Sequence, residues 1–168
     1  GCAFPLKYQG KKNGKYPFVK VSDMNLPGNE KYIFRAENTV DEKDVAKLRA
    51  RVCPPGTIIF PKIGMVIYLN KKRILATYAA FDNNIMGIIP HSHKLDSEFL
   101  YYYFLSRINL RNISHATTTP SIRKSVVEEL LISLPLLDEQ KRIAQVLTSI
   151  DEAIQAVDTS IAKYERLK

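Results

Sequence analysis

Few residues in this 168-residue chain stand at spacings that could make or break bonds. Glu139-Gln140-Lys141 has the E-x-K spacing of one large class of nucleases. No Pro-Asp pair precedes it, and acidic residues are favoured in the opening turn of a helix in any case. His91-Ser92-His93 offers two imidazoles without a Cys or carboxylate at supporting spacing, so a surface loop explains it better than a metal site. No G-x-x-x-x-G-K-S/T or G-x-G-x-x-G loop is present to cradle phosphates. Nor is there an Asn-Pro-Pro-aromatic stretch for methyl transfer to a base amine. Tyr101-Tyr102-Tyr103 lies in an apolar run and reads as core packing rather than a stacking platform. Cys2 and Cys53 form no C-x-x-C pair and read as reduced thiols of a cytoplasmic protein. These residues point away from catalysis, and no metal or cofactor is expected.

The basic and polar clusters point elsewhere. Lys and Arg number 25 against 17 Asp and Glu, a net charge of +8. From Asp138 onward stand 5 basic and 6 acidic residues, so residues 1–137, with 20 basic and 11 acidic, carry the whole excess. A basic body suits a polyanion. Its cations gather in KKNGK (Lys11–Lys15), RAR (Arg49–Arg51), NKKR (Asn70–Arg73) and TTTPSIRK (Thr117–Lys124), each in an expected loop or element end. Lys and Arg neutralise phosphates; Asn, Thr, Ser and Arg reach base edges. The expected phosphate or groove contacts are Lys11, Lys12, Lys15, Lys62, Lys71, Lys72, Arg73, Arg111 and Lys124. The expected base readers are Asn83, Asn84, Thr117, Thr118, Thr119, Ser121 and Arg123.

Those residues need a scaffold, and 45% hydrophobic content supplies a core. YPFVKVSDM predicts a first strand from Tyr16. Thr39, three residues before Glu42, predicts a capping box and a short helix ending before Cys53–Gly56. The Ile- and Val-rich run that follows predicts strands at 57–60, 65–69 and 74–79, with a turn at Asn70–Lys72. A turn at 82–84 and a strand at 85–89 follow. Asp96 or Ser97 caps a helix reaching about Ile108. Residues 112–125 are a loop. Ser125 and Glu128 suggest a second capping box over a short helix, and LLISLPL suggests a brief strand. Interleaving this irregular predicts an α+β fold, residues 1–137, followed by a long coiled-coil helix, residues 138–168. No apolar run approaches the ~20 residues that span a bilayer. The opening Gly1-Cys2-Ala3-Phe4, without initiator Met or signal peptide, reads as part of something longer.

The tail carries its own signal. Ile143, Leu147, Ile150, Ile154, Val157, Ile161 and Tyr164 follow steps of 4, 3, 4, 3, 4 and 3 residues. That heptad seam suits a partner helix, whereas folding back on its own domain favours a 3.6-residue period. At ~1.5 Å per residue the tail spans roughly 45 Å.

Three stretches resemble the specificity subunit of type I restriction–modification systems. They are YPFVKVSDM, GTIIFPKIG followed by NNIMGIIPHSHKLDSEFLYYYFL, and the end from TTTPSIRK through Leu134-Pro135-Leu136-Leu137-Asp138-Glu139-Gln140-Lys141-Arg142-Ile143 into the helix. Glu-Gln-x-x-Ile is the most specific part. Leu136 stands where the family often has a second Pro. The resemblance implies a non-catalytic target recognition domain that reads one half of a bipartite double-stranded DNA sequence. It also implies antiparallel pairing of the helix with a second half-subunit or copy, docking of methyltransferase subunits that bind S-adenosylmethionine themselves, and a restriction/translocase subunit. Complete subunits carry two such domains and helices, and this chain has one of each. Two alternatives remain open: the recognition part of a fused methyltransferase–endonuclease, and a coiled-coil adaptor that binds only proteins.

Overall fold

The computed structural model describes residues 1–115 and 118–165. Its central strand, β4 (Ile58–Pro61), is buried along its whole length. Side chains of a strand alternate between faces. Ile58 and Phe60 accordingly enter one core cluster with Leu100, Tyr101 and Phe104, while Ile59 enters another with Val19, Leu75, Phe81 and Ile85. An apolar run with both faces covered is what such a position requires.

Around β4 the chain builds two small sheets. β1 (Tyr16–Val19) pairs antiparallel with β3 (Asn38–Val40) and parallel with β6 (Ala80–Phe81). The second sheet runs β2 (Tyr32–Ile33), β5 (Arg73–Leu75), β4 and β7 (Ile85–Ile88). β4 and β7 pair antiparallel from Ile58↔Ile88 to Pro61↔Ile85. Gly87, opposite Ile59, leaves room for the Phe81 ring: a Cβ there would lie 2.6 Å from Phe81 Cζ. The mixed α+β class stands as expected.

Helix α2 (Ser97–Arg107) covers the first cluster with Leu100, Tyr101, Tyr102 and Phe104, and buries Phe99 as well. Asp96 caps it, accepting the Phe99 amide at 2.9 Å. Tyr101 and Tyr102 are core residues, 5% and 8% exposed, as the apolar run implied.

Several local expectations need correction. Residues 65–69 form a 3-10 turn, Met65–Leu69, rather than a strand. Gly64 at φ +88° and Asn70 at φ 55° bend the chain at either end, so only Ile67 is buried. The expected 74–79 strand stops at Leu75 and resumes as β6. Helix α1 (Glu42–Leu48) is capped by Asp41, whose amide donates to Asp44. Thr39 instead lies in β3, its hydroxyl bridging Gly14 N and Lys11 O. Helix α3 (Lys124–Glu128) is preceded by Arg123 in the capping position, not Ser125. Residues 130–136 join no ladder, and Leu131 and Leu136 point outward, 93% and 82% exposed.

Helix α4 (Leu137–Glu165) packs its first turns along α2. Gln140 and Ala144 are buried. The Gln140 amide group donates to Lys94 O at 3.0 Å and Pro135 O at 2.9 Å, and its Oε1 accepts Asp96 N at 2.9 Å. Glu-Gln-x-x-Ile is therefore a joint: one buried side chain ties the starts of two helices together. Ile143 and Leu147 face Phe99, Tyr102 and Tyr103 of α2. Leu147 packs on its own domain's core and Ile143 is half-buried beside it, so the start of the seam is partly covered by the chain itself. Ile150, Ile154, Val157, Ile161 and Tyr164 remain 49–72% exposed.

Candidate nucleic-acid interface

Three separate segments meet where β4 ends and β7 begins. Lys62 N donates to Asn84 O at 2.8 Å, and Ile122 N donates to Lys62 O at 2.9 Å. Gly64 N donates to Pro120 O at 2.8 Å, and His115 N donates to Ser121 O at 2.9 Å. Ile122 is 3% exposed and anchors the third segment in the core. Asp82 shapes the second: its carboxylate accepts the Asn84 amide at 2.9 Å and the Asn84 side chain at 3.3 Å. Burial pushes that carboxyl above its ordinary value, and the Asn84 bonds oppose the rise.

The cluster thus places Lys62, Asn84 and Ser121 side by side, with Asn83, Thr118, Thr119, Arg123 and Lys124 exposed around them. Backbone ladders fix the frame while polar tips face solvent, as suits a groove-reading surface. Thr117 lies outside the described residues. Beside the cluster runs an apolar groove of about 470 Å³, lined by Met86, Ile88, Val127 and Leu130 together with Lys62 and Lys124.

Residues 1–166 match the family model of the type I restriction modification DNA specificity domain. The chain belongs to that family. The specificity domain is similar to two specificity subunits from Methanocaldococcus jannaschii. It is 32% identical to that of type I restriction enzyme MjaIX over 84% of this chain and 32% of the relative. It is 27% identical to that of MjaVIII over 89% and 37%. Among solved structures, an HsdS subunit from Thermoanaerobacter tengcongensis superposes with a TM-score of 0.64 at 16% identity, covering 95% of this chain and 36% of that one. A chain from a structure addressing assembly and conformational transition of the type I R-M system superposes at 0.71 and 18% identity, covering 98% and 38%. These likenesses show the fold. The specificity domain spans about a third of the length of these relatives.

Other expected contacts of the specificity domain lie apart or are occupied. Lys11 pairs with Asp41 and, at 3.0 Å, Asp44; Lys15 pairs with Glu42; Lys12 donates to Glu37 O at 2.7 Å. All three sit on the β1–β3 side. Hydrogen bonds to the Asp41 and Asp44 carboxylates raise the Lys11 pKa above its ordinary value. Lys71 donates to Asn25. Lys124 pairs with Glu128 one turn along α3, at 2.8 Å.

Two expected contacts are corrected. Lys72 is fully buried, its ammonium donating at 2.7 Å to both Asn70 Oδ1 and Ile108 O, so it cannot reach a phosphate. Burial brings its pKa down to about 8. Arg73 turns inward, donating to Lys72 O at 2.7 Å and Met24 O at 3.0 Å, and burial lowers its pKa too. Arg111 is exposed, its guanidinium 4.9 Å from the centre of the Tyr68 ring. Tyr68, against Arg111, and His115, whose amide donates to Ser121 O, were not among the residues expected at this surface. Aromatic residues in an apolar run and a lone His in a polar loop gave no signal of their own.

His91 and His93 lie on an exposed turn with ring centroids 5.9 Å apart. Among the described residues no group of three His, Cys, Asp or Glu could hold a metal ion. Among them, too, no helix is long and apolar enough to cross a membrane.

Proposed function

We propose that this chain is one target recognition unit of a type I specificity subunit. It reads one half of a bipartite double-stranded DNA sequence and catalyses nothing itself. The observation that carries this reading is the family match across nearly the whole chain, onto a body whose 20 basic residues exceed its 11 acidic ones. Residues 1–137 form the reader and residues 138–168 the spacer.

Lys62 and Lys124 supply phosphate or groove contacts and Arg111 a groove contact; Asn83, Asn84, Thr117, Thr118, Thr119, Ser121 and Arg123 are the base readers. Phosphate contacts set affinity and register, while the polar tips carry sequence information. Lys11, Lys12, Lys15 and Lys71 contribute to the long-range field. The free seam from Ile150 to Tyr164 receives a second long helix, antiparallel, from the other half of the subunit or from another copy. A helix of roughly 45 Å exceeds the ~34–36 Å turn of B-DNA, so two readers can occupy successive grooves. Methyltransferase subunits dock on this scaffold, and a restriction/translocase subunit completes the assembly in the cytoplasm.

The test is a gel-shift titration of the full-length protein against random duplex at two salt concentrations. DNA binding that weakens steeply with salt is expected, since each neutralised phosphate contributes about −0.9 to the log–log slope. Absence of a shift at low salt, with coiled-coil association intact, would favour a protein-only adaptor.

A further inference from the structure

We propose that Arg111 is a specificity-determining residue that reads a guanine in the major groove, and that the buried Lys72 is the positioning residue that holds it there. The inference rests on the DNA-reading role above and names a base and a mechanism within it.

The geometry starts at Asn70, whose side-chain oxygen accepts two donors. One is the Lys72 ammonium at 2.7 Å, and the other is the Leu110 amide at 2.9 Å. Lys72 also donates to Ile108 O at 2.7 Å. This buried knot clamps the 70–72 turn to the 108–110 turn, with Leu110 itself fully buried. Tyr68 lies two residues before the knot and Arg111 one residue after it, so the clamp brings ring and guanidinium together. The 111 turn is closed by its own bonds: Arg111 N donates to Asn109 Oδ1 at 3.0 Å, and Ser114 Oγ donates to Arg111 O at 2.8 Å.

Most basic residues in the expected set are spent on carboxylates or carbonyls. Among the described residues no carboxylate pairs with Arg111, and its contact is a ring face. A guanidinium laid over an aromatic ring keeps its planar donor fork pointed outward with little entropy left to lose. That fork matches guanine O6 and N7. Met65 and Leu69 flank Tyr68 on the same 3-10 turn, 65% and 61% exposed, and add apolar surface of the kind thymine methyls meet. The segment joins the reading cluster through the Gly64–Pro120 bond.

The test is selection of sites from a randomised duplex pool by the full-length protein and its variants, with salt slopes measured in parallel. The wild type is expected to enrich a site containing a guanine that Arg111→Ala and Arg111→Lys no longer require, a loss of roughly 10- to 100-fold in preference at that one position. Tyr68→Leu should lower the same preference by ~2–5-fold, and Tyr68→Phe should restore it. Lys72→Met should reduce preference at that position and no other. If Arg111→Lys selects the wild-type site, or Arg111→Ala weakens all sequences equally and flattens the salt slope by about one, Arg111 is a phosphate contact and the proposal falls. If the wild type enriches no site, the DNA-reading role itself fails, a result distinct from either.

Discussion

Oε1 of Gln140 accepts the backbone amide of Asp96 at 2.9 Å across 44 residues of chain. With its donations to Lys94 and Pro135, one buried side chain satisfies three backbone groups where α4 meets α2. Gln140→Ala would strand those groups, at about 1–3 kcal/mol. Glu139→Ala, on the solvent side, should stay within about 0.5 kcal/mol of wild type. Chemical denaturation of the two variants checks the contrast.

A second joint lies two to three turns on, at Thr148 and Asp151. The Tyr102 hydroxyl donates to Asp151 Oδ2 at 2.7 Å, and Lys31 reaches both Tyr102 OH and Thr148 Oγ1 while pairing with Glu98 at 2.6 Å. Burial opposes the Lys31 charge, but Glu98 and Tyr102 together hold its pKa above the ordinary value. Burial and then Glu98 push the Tyr32 hydroxyl up to about 12. Tyr102→Phe should cost about 1 kcal/mol and speed amide hydrogen exchange over residues 147–151, leaving β4 unchanged.

Lys72 gives a pH signature. Its folded pKa is about 8 against an ordinary 10.5, so between those values the unfolded chain binds the extra proton. Stability therefore rises with pH across that window, and below about pH 8 the gain is absent. Wild type should gain stability relative to Lys72→Met from pH 8 to 10.5, by roughly 3 kcal/mol at most. Denaturation midpoints of both proteins across the window measure it.

The seam divides at about Leu147. Leu147→Asp would place a charge against Phe99 and Tyr102 and destabilise the fold by about 1–3 kcal/mol. Ile154→Asp should leave folding stability within about 0.5 kcal/mol while abolishing helix pairing in sedimentation.

Much of this was legible in the sequence, for identifiable reasons. β4 and α2 declare themselves because hydrophobic periodicity and an Asp cap are local signals. Thr39 misled because a hydroxyl that caps helices also bridges strands, and only the pairing of β1 with β3 decides which. Met65–Leu69 looked like a strand by composition, but positive φ at both ends bends it into a turn. Lys72 reads as surface in any sequence; its burial depends on Asn70 and Ile108 supplying oxygens across a tertiary contact. The seam's 3.5-residue period was visible, while its partition between α2 and solvent was not. A family likeness can show that the body belongs to a DNA specificity domain, but which loops converge is a property of the fold.

The convergence of residues 62–64, 83–84, 115 and 118–123 into a single reading surface is tested most directly by amide hydrogen exchange of the full-length protein, free and bound to its selected duplex. Slower exchange in those segments and around Arg111, with little change at residues 11–15, is the predicted result. Slower exchange at residues 11–15 and 37–44, with the three converging segments unchanged, would contradict it.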